Sequence, residues 1–137
     1  MKSKLFLVCI ILFPVLLMAQ ENSSSSKINK TDRKGRKTGW WQYYHANSTT
    51  VATEGTYIKG MRDGEWKEYT KDGKLQQVGF FKEDKFSGTW KYFDANGKVV
   101  NERSYKDGKL DGENRSYSPD GNLLKVTVFK GGNEVKK

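Results

Sequence analysis

The chain has 137 residues, of which 30% are charged, 35% hydrophobic and 13% aromatic, with a mean hydropathy of −0.82 and a formal charge of +9. Its length is that of one domain, and its aromatic content argues against simple disorder, because chains too polar to fold usually lack aromatics. The charge is unevenly placed. Residues 1–20 hold two of the 25 basic residues and none of the 16 acidic ones, residues 21–37 carry +4, and the remainder carries only +3. That near-balance excludes a large basic footprint for nucleic acid.

Residues 1–20 read as a secretory signal peptide. Lys2 and Lys4 precede an apolar run over 5–17, and Met18-Ala19-Gln20 closes it with a cleavage site. The run is short for a membrane span, which needs about 20 residues, and Pro14 interrupts it. Cys9, the single cysteine, lies inside the run behind Leu7-Val8, which is not a lipobox. The expected product is therefore exported, periplasmic or secreted, and not a lipoprotein. It has no disulfide, Cys nucleophile or Cys metal site. Residues 21–37, a serine run followed by a basic stretch, read as a linker whose cations could touch an acidic membrane surface.

From residue 38 to 137 the chain repeats itself. Gly39-Trp40-Trp41-Gln42-Tyr43-Tyr44 recurs as Gly64-Glu65-Trp66-Lys67-Glu68-Tyr69 and as Gly88-Thr89-Trp90-Lys91-Tyr92-Phe93. The fourth copy is Gly112-Glu113-Asn114-Arg115-Ser116-Tyr117, and the leading glycines are 25, 24 and 24 residues apart. Tyr57, Phe81, Tyr105 and Phe129 form a second ladder with a spacing of 24. Asp72-Gly73, Asn96-Gly97 and Asp120-Gly121, with Asn47-Ser48 in the first copy, split each unit in two. These dipeptides predict tight primed turns, since Asn, Asp and Gly tolerate positive φ.

The predicted fold is all-β. Four hairpins supply eight strands near 39–45, 51–58, 64–70, 75–82, 88–94, 99–106, 112–118 and 123–130, forming one elongated, curved antiparallel sheet. A lone hairpin is marginal in water, so the units must stack to share a core. Eleven of the 16 aromatics after residue 20 fall on the ladders and are the expected core: Trp41, Tyr44, Tyr57, Trp66, Tyr69, Phe81, Trp90, Phe93, Tyr105, Tyr117 and Phe129. Trp and Tyr within a unit are three apart, which strict alternation places on opposite faces. A bulge or an early strand end would reconcile them.

The Gly-x-Trp-x-x-Tyr blocks resemble MORN repeats. So do the Asp-Gly turns, the return strands Gly55-Thr56-Tyr57 and Gly79-Phe80-Phe81-Lys82, and Asp107-Gly108-Lys109-Leu110-Asp111-Gly112. The resemblance is to the bacterial variant form found in the YwqK-like antitoxin family, and it covers about residues 32–132. It implies an elongated curved sheet without a catalytic centre that binds or scaffolds proteins. Some such repeats are proposed to touch acidic lipids. The fourth copy departs, with Asn114 in place of Trp, and Arg103 and Thr127 in place of Gly, as a capping repeat would.

The residues supply little for catalysis. His45, the single histidine, reads as a solvated turn residue, and no His or Cys pair has metal-ligand spacing. The glycines follow the repeat and not a phosphate cradle. No catalytic residue, metal or cofactor is expected. Trp40, Tyr43 and Tyr92 lie off the ladders and are the candidate exposed aromatics for binding. The expected function is a non-enzymatic protein-binding or scaffold module whose partner is another protein, a toxin or an envelope component. The alternatives are a toxin-neutralising immunity protein, or an envelope binder that takes glycan or acidic lipid. Aromatic cages for an envelope ligand require open tryptophans, so burial of Trp41, Trp66 and Trp90 in a file would remove that reading.

Overall fold

The computed structural model describes residues 28–136, so the leader over 1–20, Cys9 and the serine run over 23–26 lie outside the described residues. The elements are β1 (Lys30–Thr31), β2 (Lys37–Tyr44), β3 (Val51–Ile58), β4 (Met61–Tyr69), β5 (Leu75–Lys82) and β6 (Lys85–Phe93). They continue as β7 (Val99–Lys106), β8 (Lys109–Leu110), β9 (Gly112–Tyr117), β10 (Leu123–Lys130) and β11 (Asn133–Glu134). All pair antiparallel in one sheet, in the order β1-β2-β3-β4-β5-β6-β7-β9-β10-β11, with β8 on β7. The sheet is open: β1 and β11 do not meet. Ten strands at a spacing of about 4.8 Å make it longer across the strands than along them.

The all-β hairpin array is as the repeats predict, with one correction at its start. Residues 28–37 do not behave as a linker. Lys30 and Thr31 pair with Thr38 and Lys37, and the Asp32 carboxylate accepts hydrogen bonds from the Lys34 and Arg36 amides. Asn29 completes the edge: its amide donates to the Trp40 carbonyl, and its side-chain oxygen accepts from the Gln42 amide.

The turns also differ from expectation. Asp72, Asn96 and Asp120 are not in the left-handed region; only the glycines after them are, at φ 81°, 80° and 85°. Gly73 donates to the Thr70 carbonyl and Thr70 to that of Lys74, and the pattern recurs 24 and 48 residues later. Each is a type I turn closed by a left-handed glycine, a three-residue hairpin loop. The primed turns sit instead between the units. Lys59-Gly60, Glu83-Asp84, Asp107-Gly108 and Gly131-Gly132 all have positive φ at both positions, as a type I′ turn requires. The second residue of each donates its amide back to the preceding hairpin, to the carbonyls of Lys37, Arg62, Phe86 and Leu110 in turn. One periodic bond thus ties every unit to its predecessor.

A bulge does occur in each hairpin, but on the return strand. The register shifts between Tyr43 and Tyr44, Glu68 and Tyr69, Tyr92 and Phe93, and Leu123 and Lys125, which leaves Ala52, Gln76, Val100 and Leu124 as the extra residues, 24 apart. The strand carrying Trp and Tyr keeps its alternation, so these side chains point to opposite faces. Only one face holds the core. Trp66, Phe81 and Trp90 are buried there, with Tyr43, Tyr57, Tyr92 and Tyr105 packed against them.

Candidate binding faces of the sheet

The core face carries a continuous file of rings. Trp41, Tyr57, Trp66, Phe81 and Trp90 follow one another with centroids 5.1–6.1 Å apart, all edge-on, and Phe86 joins Trp90 to Tyr105. Edge-to-face contact suits the ring quadrupoles. The file exists because glycines lie beneath the indoles. A Cβ on Gly55 would stand 2.4 Å from the Trp66 ring, and one on Gly79 2.1 Å from that of Trp90. The indole N–H groups donate to the Thr56 and Phe80 carbonyls at 3.2 and 3.0 Å, so no polar atom is stranded by burial.

Cations close this face from above. The Lys37 ammonium lies 4.9, 5.1 and 5.0 Å from the rings of Trp41, Tyr43 and Tyr57, and it donates to the Tyr43 hydroxyl at 2.6 Å. Burial raises the Tyr43 pKa, but the bonds from Lys37 and Tyr57 and the charges of Lys37 and Arg62 outweigh it, and the phenol ends below its ordinary value. Burial and the bond to Tyr43 push Tyr57 upward. The Arg62 guanidinium sits 3.8 Å above Phe81, held by Asp84 at 2.9 Å. The aromatic cage is therefore filled by the chain's own lysine. Trp66 and Trp90 are buried in a file and Trp41 is half-buried beneath Lys37, so two of the three tryptophans that an aromatic cage for an envelope ligand would need are closed.

The opposite face is built on a second periodic pair. The Tyr69 hydroxyl donates to Glu54 at 2.7 Å and the Tyr117 hydroxyl to Glu102 at 2.8 Å, each partner 15 residues back. At the intervening copy both members change together, to Phe93 and Val78. Burial first, then the Glu54 carboxylate, moves the Tyr69 pKa up to about 12.

The expected site residues divide between the faces. Trp40 is exposed on this second face, in keeping with its candidacy. Tyr43 and Tyr92 are not exposed binding aromatics: their even spacing from the core tryptophans turns them onto the core. Tyr44, expected in the core, is 47% exposed for the converse reason, and Tyr69, Phe93 and Tyr117 share its face. His45 is not simply solvated, since its Nε2 lies 3.0 Å from the Tyr69 carbonyl. The sequence reading missed Ile58, Met61 and Phe80. Cross-strand partners share a face, so the pairs Trp40–Thr56, Ile58–Met61 and Glu65–Phe80 place all three beside Trp40's side of the sheet. All four residues are exposed, one on each of the consecutive strands β2 to β5. Alternation relative to Trp41, Trp66 and Phe81 was the available signal.

Segments 62–83, 86–107 and 110–130 match the family model of the MORN repeat variant. The chain carries three MORN variant repeats. Each matched segment takes in most of one hairpin: β4 with β5, β6 with β7, and β8 to β10. The hairpin of β2 and β3 has the same bulge and sets its Gly55 under Trp66 of the next hairpin, but its loop is one residue longer, with Asn47 at φ 56°, and it lies outside the match. No curated protein matches the chain. MORN repeats are binding modules for proteins and membranes and not catalytic ones.

Proposed function

We propose that this chain is an exported, non-enzymatic module that docks a partner protein on the face bearing Trp40, Ile58, Met61 and Phe80. One observation carries the reading: four consecutive strands each expose a large apolar side chain on the same face, in a chain whose composition is otherwise polar. Contiguous exposed apolar surface marks interaction sites, and Trp and aromatic anchors dominate binding energy when a partner covers them. The core lies on the other face, so these residues are not needed to hold the fold. The basic leader and apolar run of residues 1–20 support export. The toxin-neutralising role implied by the antitoxin family is a special case of the same docking, with a secreted toxin as the partner.

The test is affinity capture from envelope extract with the intact protein against a Trp40→Ser, Phe80→Ser variant shown by circular dichroism to remain folded. A single protein retained by the first and lost by the second establishes the docking face and identifies the partner. Equal capture by both variants would overturn it. Sequencing the N-terminus of the exported product checks processing after residue 20.

A further inference from the structure

The ring file stops at the joint between the third and fourth hairpins. The two earlier joints pair Gly55 with Trp66 and Gly79 with Trp90, eleven residues apart, and here the same positions hold Arg103 and Asn114. The two replacements are one structural event. An arginine Cβ would collide with an indole, and without the indole there is no reason for glycine. The ladder changes with them. β7 pairs with β9 only at Asn101–Ser116 and Glu102–Arg115, and the next contact is made by a side chain, the Ser104 amide donating to the Asn114 amide oxygen at 3.0 Å. Missing rings and a ladder interrupted at this one step, before β7 pairs on with β8, open a cleft of about 410 Å³ on the core face, lined by Asn101, Arg103, Asn114, Ser116, Lys125 and Phe129 among others.

Glu102 and Arg115 also line the cleft, but they alternate to the other face of the sheet and pair with each other there, which leaves Arg103 and Lys125 as the charged side chains on the core face. Among the described residues, Arg103 and Lys125 have no carboxylate within salt-bridge distance, whereas Arg62, Lys67, Lys82, Lys91, Arg115 and Lys130 on the strands each have one. The Arg103 guanidinium rests 5.0 Å over the Tyr92 ring, which holds it at the mouth of the cleft. Amide and hydroxyl groups of Asn101, Asn114 and Ser116 stand beside it, over an apolar floor that includes Phe129.

We infer that this cleft is a receptor for a carboxylate side chain on an acidic segment of a partner protein, with an apolar neighbour of that carboxylate on the floor. The inference rests on the protein-docking reading but uses the other face of the sheet. Arginine's planar fork matches a carboxylate bidentately, and a second unpaired cation across the opening adds charge complementarity. An opening with an apolar floor between two cations fits a side chain better than a flat lipid surface.

The experiment titrates the full chain with a labelled peptide, acetyl-Gly-Ser-Glu-Phe-Glu-Ser-Gly-amide, against a control with Gln at both Glu positions, at low and moderate salt. The acidic peptide is expected to bind about tenfold more tightly than the control, and Arg103→Gln to remove about fivefold of that or more. A second variant, Arg103→Gly with Asn114→Trp, fills the cleft by restoring the pair of the other joints and should abolish binding while keeping the fold. Equal binding of both peptides, or binding indifferent to the two variants, overturns the inference. So does binding of the chain, through these residues, to anionic phospholipid vesicles but not to the peptide. Capture that still depends on Trp40 and Phe80 in that event leaves the docking face standing; loss of both results removes both readings.

Discussion

The tryptophan file makes one methyl group decisive. Gly79→Ala puts a carbon where the Trp90 ring already is, at 2.1 Å, and neither backbone nor indole can yield without opening the core. We expect a loss of about 3 kcal/mol or more in urea unfolding, the upper range for overpacking. Gly97→Ala meets nothing within 4 Å and carries only the strain of φ 80°, so its cost should be about 1 kcal/mol. The same logic runs in reverse at the interrupted joint. Asn114→Trp alone should not stabilise, because the Arg103 Cβ occupies the ring's place. Asn114→Trp with Arg103→Gly should raise stability by about 1–3 kcal/mol, as burial of a large apolar group predicts. Calorimetry of the two variants decides between a coupled pair and two independent replacements. The departures of the fourth copy were legible in the sequence, but not that Arg103 and Asn114 answer each other. That contact spans eleven residues and depends on register, which the repeat period alone does not give. Tyr43 and Tyr92 illustrate the same gap. Being off the ladders does not imply exposure, because an even spacing from Trp41 and Trp90 turns both rings onto the core.

At the scale of the hairpin, periodic Asp-Gly and Asn-Gly signals located the turns correctly and misassigned their kind. Both kinds of turn contain glycine in the left-handed region, so composition does not separate them. What does is the count of residues between paired positions: Thr70 to Lys74 spans three, while Ile58 to Met61 spans two. The Glu83-Asp84 turn is the exception that uses no glycine, with φ 49° and 64°. Left-handed geometry is costly for such residues, and Asp84 offsets the cost by accepting from both the amide and the Nε of Arg62. Burial raises the Asp84 pKa, but the hydrogen bonds and charge of Arg62 dominate and hold the carboxyl below its ordinary value of 3.8. A depressed pKa contributes stability that is present above the unfolded value and is lost as pH falls through the folded one. The melting temperature of the parent should therefore fall below about pH 4. In an Asp84→Asn variant the melting temperature should start lower and fall less steeply over that range. Parallel curves for the two proteins would show that the Arg62 link contributes nothing to folding.

Across the whole molecule, stability is distributed as in a solenoid, where each unit leans on its neighbours and the weakest joint decides where opening begins. Among the described residues the buried hydrophobic side chains, Trp66, Phe81 and Trp90, lie on β4 to β6, and removing a buried Phe or Trp costs about 3–5 kcal/mol. The fourth hairpin has no such anchor. Leu123, Leu124 and Val126 on β10 are exposed, and β7 pairs with β8 and β9 at four positions where β3 and β4 pair at five, the missing pair being that of Arg103 and Asn114. At that step side chains take over, Asn114 to the Ser104 amide and Ser104 to the Glu113 carbonyl, with Glu102 bridging to Arg115 and Tyr117 on the other face. β9 and β10 should consequently open as a unit with a lower free energy than β3 to β6, because little apolar area is exposed when they part. Amide hydrogen exchange reads this directly. Protection on β9 and β10 should be lower than on β4 and β5, and uniform along those two strands. Restoring the Gly–Trp pair with Arg103→Gly and Asn114→Trp should bring it toward the level of the other hairpins, since the ring file would then run unbroken into the fourth repeat. Equal protection across all four hairpins in the parent would mean that the periodic turn-to-strand bonds, and not the file of rings, carry the coupling between units.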